Sequence, residues 1–240
     1  MMTTTTPSTT TTSTTTPTIR FKCLLIDHDD TSVDSTRMLH FPAHLDFMRK
    51  WKPEVPDITL GEWFLKNNNP GISKWYEELG IVGDVREQEV ANWSEYIATH
   101  TPPFYPGFLD VLREFSRRGG IVVVVSHSLE CQIRRHYSEL AAGFMPDYVY
   151  GWDDDKTKAK PSPWPVLDTM GRYGLKAEDC LVLDDLSPGI TMARRVPGVT
   201  AAAAGWGSGH QIPELRDEMK KLCDVYFSTV EEFRKYLLGN

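Results

Sequence analysis

The chain alternates between short apolar runs and stretches with helical rhythm, and that alternation predicts its elements. Phe21-Lys22-Cys23-Leu24-Leu25-Ile26 reads as a short buried strand. From about Arg37 to His100 no period-two run occurs. This segment is aromatic-rich and helical in rhythm, and Pro53, Pro56 and Asn67-Asn68-Asn69-Pro70-Gly71 divide it into short helices. Next, Phe108, Leu112 and Phe115 share one face of a helix that Pro106 opens and Gly119-Gly120 stops. The β-branched run Ile121 to Val125 reads as a fully buried parallel strand ending at Ser126-His127-Ser128, with a helix from about Leu129 to Leu140 behind it. Tyr148-Val149-Tyr150, Cys180 to Leu183 and Val199 to Ala204 continue the strands, and Pro163 suits the first turn of a helix. Ser228-Thr229-Val230-Glu231 has the pattern of a capping box for the final helix.

Strands that alternate with helices imply an α/β fold: an open, Rossmann-like parallel sheet with helices on both faces, interrupted early by an all-helical insertion. The expected division is a core of residues 19–36 and 103–240, a helical cap of 37–102, and a Thr-rich tail of 1–18. That tail holds 12 Thr, 2 Ser and 2 Pro and no charge, so it is expected to be disordered. It lacks the apolar stretch of a signal peptide and the Arg content of a transit peptide. The linkers between cap and core are expected near Asp34–Leu39 and Thr99–Pro106.

Composition narrows the function classes. A net charge of -7, with no dense Lys/Arg stripe, argues against a nucleic-acid surface. No run reaches the length of a membrane span. The four cysteines are scattered without a C-x-x-C pair, so reduced thiols in a reducing compartment, the cytoplasm, are expected.

In such a sheet, ligands bind beyond the carboxyl ends of the strands. The polar groups that follow apolar runs are Asp27 and Asp29, Ser126, and Asp184 with Asp185. Asp27 and Asp29, two apart in extended chain, can face one crevice. Two carboxylates held together push their pKa values apart unless a cation joins them.

Lys160-Pro161 completes an ordered set: D-x-D-x-T at Asp27–Thr31, a strand ending in Ser126, Lys160, and a strand ending in Asp184-Asp185. This set resembles the haloacid dehalogenase superfamily over residues 20 to about 205, and the helical insertion resembles the cap of the subgroup that includes phosphoglycolate phosphatase and β-phosphoglucomutase. The resemblance implies that Asp27 is a nucleophile that becomes phosphorylated. It implies a Mg2+ site of the Asp27 carboxylate, the Asp29 backbone carbonyl and Asp185, with Asp184 bound directly or through water. Asp29 would protonate the leaving oxygen and then take a proton from water, Ser126 would hydrogen-bond a phosphoryl oxygen, and Lys160 would neutralise charge. Like charges a few ångströms apart cost about 4 kcal/mol even at an effective dielectric near 20, which is why a carboxylate attacking a phosphate needs cations.

An acid at Asp29 favours a leaving group that needs a proton, hence a phosphate ester rather than a halide or a phosphonate. The expected function is hydrolysis of a small phosphorylated metabolite by a monomer or weak homodimer. A phosphomutase and a non-catalytic binding or regulatory protein are the alternatives. Two departures from the subgroup stand out: Asp30 where Gly is common, expected to turn outward and bind local amides, and His28 where an apolar residue is common. His28 and His127 are expected to point away from the crevice. Lys156 and Lys158 rival Lys160. Trp51, Trp63, Trp75 and Trp93 are expected to be core. Arg37, His40 and His44 on one helical face, and Lys66 with Asn67 to Asn69, are candidates for reading the substrate, with solvated surface as the equal alternative.

Overall fold

The computed structural model describes residues 19–239, so the Thr-rich segment 1–18 lies outside the described residues. Six strands form one parallel sheet: β1 (Cys23–Ile26), β2 (Ile121–Val125), β3 (Tyr148–Tyr150), β4 (Cys180–Asp184), β5 (Thr200–Ala204) and β6 (Val225–Phe227), in the spatial order β3-β2-β1-β4-β5-β6. Between β1 and β2 stand α1 (Phe41–Trp51), α2 (Leu60–Asn68), α3 (Ile72–Glu78), α4 (Asp84–Thr99) and α5 (Phe108–Arg117). The later helices are α6 (Glu130–Leu140), α7 (Trp164–Tyr173), α8 (Ser187–Arg194), α9 (Pro213–Leu222) and α10 (Val230–Leu238). A single wide turn of π-helix, Thr36–His40, leads into α1.

Each central strand is buried on both faces, and side-chain alternation decides which face a residue serves. Leu24, Ile26, Val122, Val124, Leu181 and Leu183 pack with Phe108, Leu112 and Phe115 of α5, Tyr137 of α6 and Phe233 of α10. Cys23, Leu25, Val123, Val125 and Val182 pack on the opposite side with Val166 of α7, Ile190 of α8 and Met219 of α9. Ala201 to Ala204 are completely buried, so β5 lies close to helices on both faces. The helices α1 to α3 keep a core of their own, built on Phe47, Met48, Trp63, Trp75, Tyr76 and Ile81.

The two chain segments that join this helical module to the sheet run side by side. Asp34 N–H donates to the Pro103 carbonyl at 3.0 Å and Tyr105 N–H to the Ser32 carbonyl at 3.0 Å. The sheet order reverses at β1: the chain first fills one side with β2 and β3, then crosses to β4. Such a reversal opens a crevice at the strand ends. Register places Ile26 opposite both Val124 and Leu183, so the residues that follow β1, β2 and β4 emerge level with one another.

Three local expectations need correction. The final helix is capped one residue later than the pattern suggests: Thr229 Oγ1 accepts from Glu232 N–H at 3.1 Å, and Glu232 accepts from Ser228 N–H at 2.6 Å. This register turns Phe233 and Leu237 into the core. Asp30 does not turn outward. It is buried, at φ +52°, and its carboxylate accepts the Thr36 N–H at 3.0 Å, capping the π turn. The four tryptophans also divide: Trp63 and Trp75 are core, Trp51 is exposed, and Trp93 is half-buried against His40.

Candidate active site

The loop after β1 is held from several sides, which orients its acidic groups. Asp27 N–H donates to the Leu183 carbonyl at 2.8 Å, extending the β1–β4 pairing by one residue. Ser32 Oγ donates to the Asp27 carbonyl at 2.6 Å, and Trp206 Nε1 donates to the Thr31 carbonyl at 2.9 Å. Thr31 Oγ1 donates to Asp185 Oδ1 at 3.0 Å, tying this loop to the one after β4.

Lys160 is the hub. Its Nζ lies 2.7 Å from Asp27 Oδ1 and 2.7 Å from Asp184 Oδ2, with all three side chains buried. The rival lysines are engaged elsewhere: Lys156 sits 3.3 Å above the Trp152 ring and Lys158 lies between Asp153 and Asp155. Asp184 is further fixed by accepting the Leu186 N–H at 2.8 Å. The close packing of α8 against it needs a glycine, since a Cβ on Gly189 would fall 2.0 Å from Asp184 Oδ2. Behind Asp185, buried His210 donates from Nε2 to its carbonyl at 2.8 Å, while Nδ1 meets the Tyr226 hydroxyl at 3.0 Å.

Asp27, Asp184 and Asp185 present carboxylate oxygens within 4.8 Å of one another. One ammonium stands against these three acids. Burial pushes the Asp27 carboxyl up to about 8; Lys160 pulls against that, and Asp184 and Asp29 add to it. Burial, with Asp27, Asp30 and Asp184 nearby, likewise holds Asp185 well above the usual carboxylate range. Buried acids in this crowding are the chemistry that a hard, oxygen-liganded divalent cation relieves. The carboxylate of Asp29 is not in this group.

Asp29 faces a different set of partners. Its Oδ2 accepts from Ser128 Oγ at 2.6 Å and Ser126 Oγ at 3.1 Å, and its Oδ1 lies 3.3 Å from His40 Nε2. Burial opposes the charged carboxylate, but His40, His28 and the Ser128 hydroxyl outweigh it and hold Asp29 well below the usual range. Trp93 Nε1 donates to His40 Nδ1 at 3.1 Å, which assigns the His40 proton to Nε2, facing Asp29.

Ser128 and the Asp29 partnership of His40 are not read from the sequence. Ser128 follows Ser126 by two residues, a spacing that hints at a shared face. The path of His40 to Asp29 depends on where the helical module sits, and no local pattern encodes it. His44, which also lines the neighbouring cavity, bonds Tyr76, and Arg37 turns away to pair with Asp34. Asn67 lines the cavity, while Asn68 reaches Glu218 and Lys66 is exposed. His28 turns from the crevice into the core, its Nε2 2.9 Å from His136 Nδ1. His127 binds the Lys160 carbonyl at 3.0 Å and, contrary to expectation, also lines the cavity.

A crevice at the sheet's reversal point, floored by carboxylates and bridged by a lysine, is suited to cation-assisted chemistry on an anionic substrate. The chain belongs to the haloacid dehalogenase-like hydrolases, whose family model matches residues 21–196. A phosphoglycolate phosphatase of Aquifex aeolicus is 26% identical over 218 residues, spanning 85% of this chain and 97% of that protein. Among solved structures, a predicted phosphoglycolate phosphatase from Haemophilus somnus superposes with a TM-score of 0.71 at 16% identity, covering 89% of this chain and 98% of its own. A haloacid dehalogenase-like family protein from Streptococcus pneumoniae gives 0.70 at 18% identity, covering 90% and 98%. These structures share the fold. Among the described residues no helix is long and apolar enough to cross a membrane.

Proposed function

We propose that this protein hydrolyses a small-molecule phosphate monoester through a covalent phosphoryl group on Asp27, with Mg2+ as its cation. The observation that carries this reading is the Asp27–Lys160–Asp184 bridge at the switch point, with Asp29 two residues beyond Asp27. The name of the Aquifex relative, a phosphoglycolate phosphatase, supports phosphoester chemistry.

Asp27 attacks phosphorus, the phosphorus–ester oxygen bond breaks, and the departing alkoxide is protonated through Asp29, which is ionised in the resting site and takes up its proton once the anionic substrate binds beside it. Water then attacks the phosphoryl group and gives its proton to Asp29, releasing inorganic phosphate and free Asp27. Lys160 holds the charge of Asp27 and of the transferring group. Ser126 offers its hydroxyl to a phosphoryl oxygen, at the expense of its bond to Asp29. Mg2+ on the Asp27, Asp184 and Asp185 carboxylates would supply the remaining positive charge that two approaching anions require.

The helical module, residues 37–102, acts as a cap that closes over the crevice and excludes bulk water, moving on the paired segments near Ser32–Asp34 and Pro103–Tyr105. The test is phosphate release from a panel of phosphomonoesters with Mg2+, for the wild type and for Asp27→Asn. Release by the wild type, lost in Asp27→Asn and on chelation, is the expected result. Equal release by both proteins would remove Asp27 as nucleophile.

A further inference from the structure

The reacting groups adjoin a cavity of about 440 Å³ between the helical module and the strand-end loops. That volume falls in the range that takes a drug-sized molecule, far beyond a two-carbon acid. It meets the site at His40, which touches Asp29, and at His127, which follows Ser126.

Its walls are dominated by rings. Trp63, Tyr76 and Trp93 come from the module and Trp152 from the core, with His40 and His44 between them. His40 stacks on Trp93 at 6.0 Å between centroids, and His44 lies 4.5 Å from Trp63 and stacks on Tyr76 at 5.6 Å. His44 is uncharged there: burial pushes its imidazole down to about 4. Around the same space Val90, Leu129 and Trp152 remain 45%, 40% and 47% exposed. Large apolar side chains grouped in water beside an apolar space mark a place where something apolar binds.

The charges in the lining are already spent on each other. Arg86 pairs with Glu89 and lies 5.1 Å over the Tyr76 ring. Among the described residues no other lysine or arginine lines the cavity, and Lys156 is engaged on Trp152. A leaving group bearing a carboxylate would find no free cation here. Thr36, Asn67 and Ser73 also line the space, so a polyol would find some partners, but its hydroxyls set against the ring faces would lose those that water gave them. Flat rings, by contrast, pack well in stacked and edge-on geometry against such walls.

We propose that the leaving alcohol of the substrate carries an uncharged aromatic ring system, which occupies this cavity while the phosphate reaches past His40 to Asp27. The inference rests on the phosphatase reading above and adds the substrate class. The reaction is plain hydrolysis: the phosphorus–oxygen bond to the aromatic alcohol breaks, water's oxygen bonds phosphorus, and the departing alkoxide gains a proton that water replaces.

The test compares kcat/KM for naphthylmethyl phosphate, glycerol 3-phosphate and phosphoglycolate, all alkyl esters, so that no activated phenol leaving group distorts the ranking. The aromatic ester should exceed each of the others by about 100-fold or more, since a few methylenes' worth of apolar contact already discriminates 10- to 200-fold each. Trp152→Ala should lower the aromatic-to-glycerol ratio by about tenfold. Val90→Arg, which places a cation at the cavity, should shift the ratio toward phosphoglycolate, and it serves as the second test should Trp152→Ala fold poorly. A ratio near or below one, with release still dependent on Asp27, would overturn the aromatic assignment and leave the phosphatase reading standing. A ratio unmoved by both substitutions would overturn it as well. Absence of release from all three esters would bring down the phosphatase reading, and this inference with it.

Discussion

His40 Nε2 stands 3.3 Å from Asp29 Oδ1, so a side chain at the entrance to the helical module holds the acid two residues beyond Asp27. Burial works against charge on His40, and the Asp29 carboxylate works for it and lifts the imidazole above its ordinary value; in the neutral ring, the Trp93 N–H aimed at Nδ1 places the proton on Nε2, toward Asp29. The pair therefore couples the position of the module to the protonation of Asp29.

Removing that partner should be visible in the pH profile. In His40→Ala the Asp29 carboxyl loses a group that holds it low, so the limb of the kcat/KM profile belonging to Asp29 moves to higher pH. Activity should fall about 10- to 100-fold from lost positioning. His40→Gln, which keeps a donor without the charge, should shift the limb less. A profile identical to wild type in both variants would separate His40 from Asp29.

Lys160→Met should damage stability and turnover together. Asp27 and Asp184 would lose their shared ammonium while remaining buried, a loss of about 3–5 kcal/mol when one partner of a buried pair is removed. Turnover should drop about 10²- to 10³-fold, as when a charge-stabilising donor is deleted. With the proposed Mg2+ site on the same acids, the ion should raise the melting temperature of Lys160→Met more than that of the wild type. Equal shifts would argue against a shared site.

Gly189→Ala isolates the Asp184 geometry. An alanine in a helix normally stabilises by about 1 kcal/mol over glycine. Here its Cβ would meet Asp184 Oδ2 at 2.0 Å, and overpacking of this kind costs about 1–3 kcal/mol. The expected result is a less stable protein with a weaker Mg2+ requirement curve, its half-saturation moved to higher concentration. A stabilised variant with unchanged Mg2+ dependence would show that α8 yields easily.

The His28–His136 pair sets an acid limit. Burial lowers both imidazoles from 6.5 to about 4, so between these values the unfolded chain binds more protons than the folded one. The stability that these neutral histidines allow is complete above about pH 6.5 and is lost as pH falls toward 4. Urea midpoints measured from pH 7 to 4 should fall accordingly. The double variant His28→Gln/His136→Gln, compared with its own value at pH 7, should fall less steeply. Parallel curves would place the acid sensitivity elsewhere.

Much of the sheet can be read in the chain because its strands are short, apolar and buried on both faces. Ile121 to Val125 and Cys180 to Leu183 carry that signal undiluted. The weaker elements escape it. Strand β6, Val225–Phe227, is three residues long, and α9 carries only Leu215 and Met219 as buried residues. The capping box slips by one because Ser228-Thr229 offers two adjacent hydroxyls, and only the packing of Phe233 and Leu237 chooses between them.

The sequence by itself determined the α/β class, the family resemblance and the strand ends where Asp27, Ser126 and Asp184 emerge, because apolar runs and their polar endings are local patterns. Tertiary structure alone decided that Lys160 Nζ reaches both Asp27 and Asp184, that His40 and Ser128 hold Asp29, and that Trp63 and Trp93 face a cavity while Trp51 faces water. Those outcomes depend on how the helical module packs against the sheet. Contacts between residues 11 to 133 positions apart are set by that packing and leave no period in the chain.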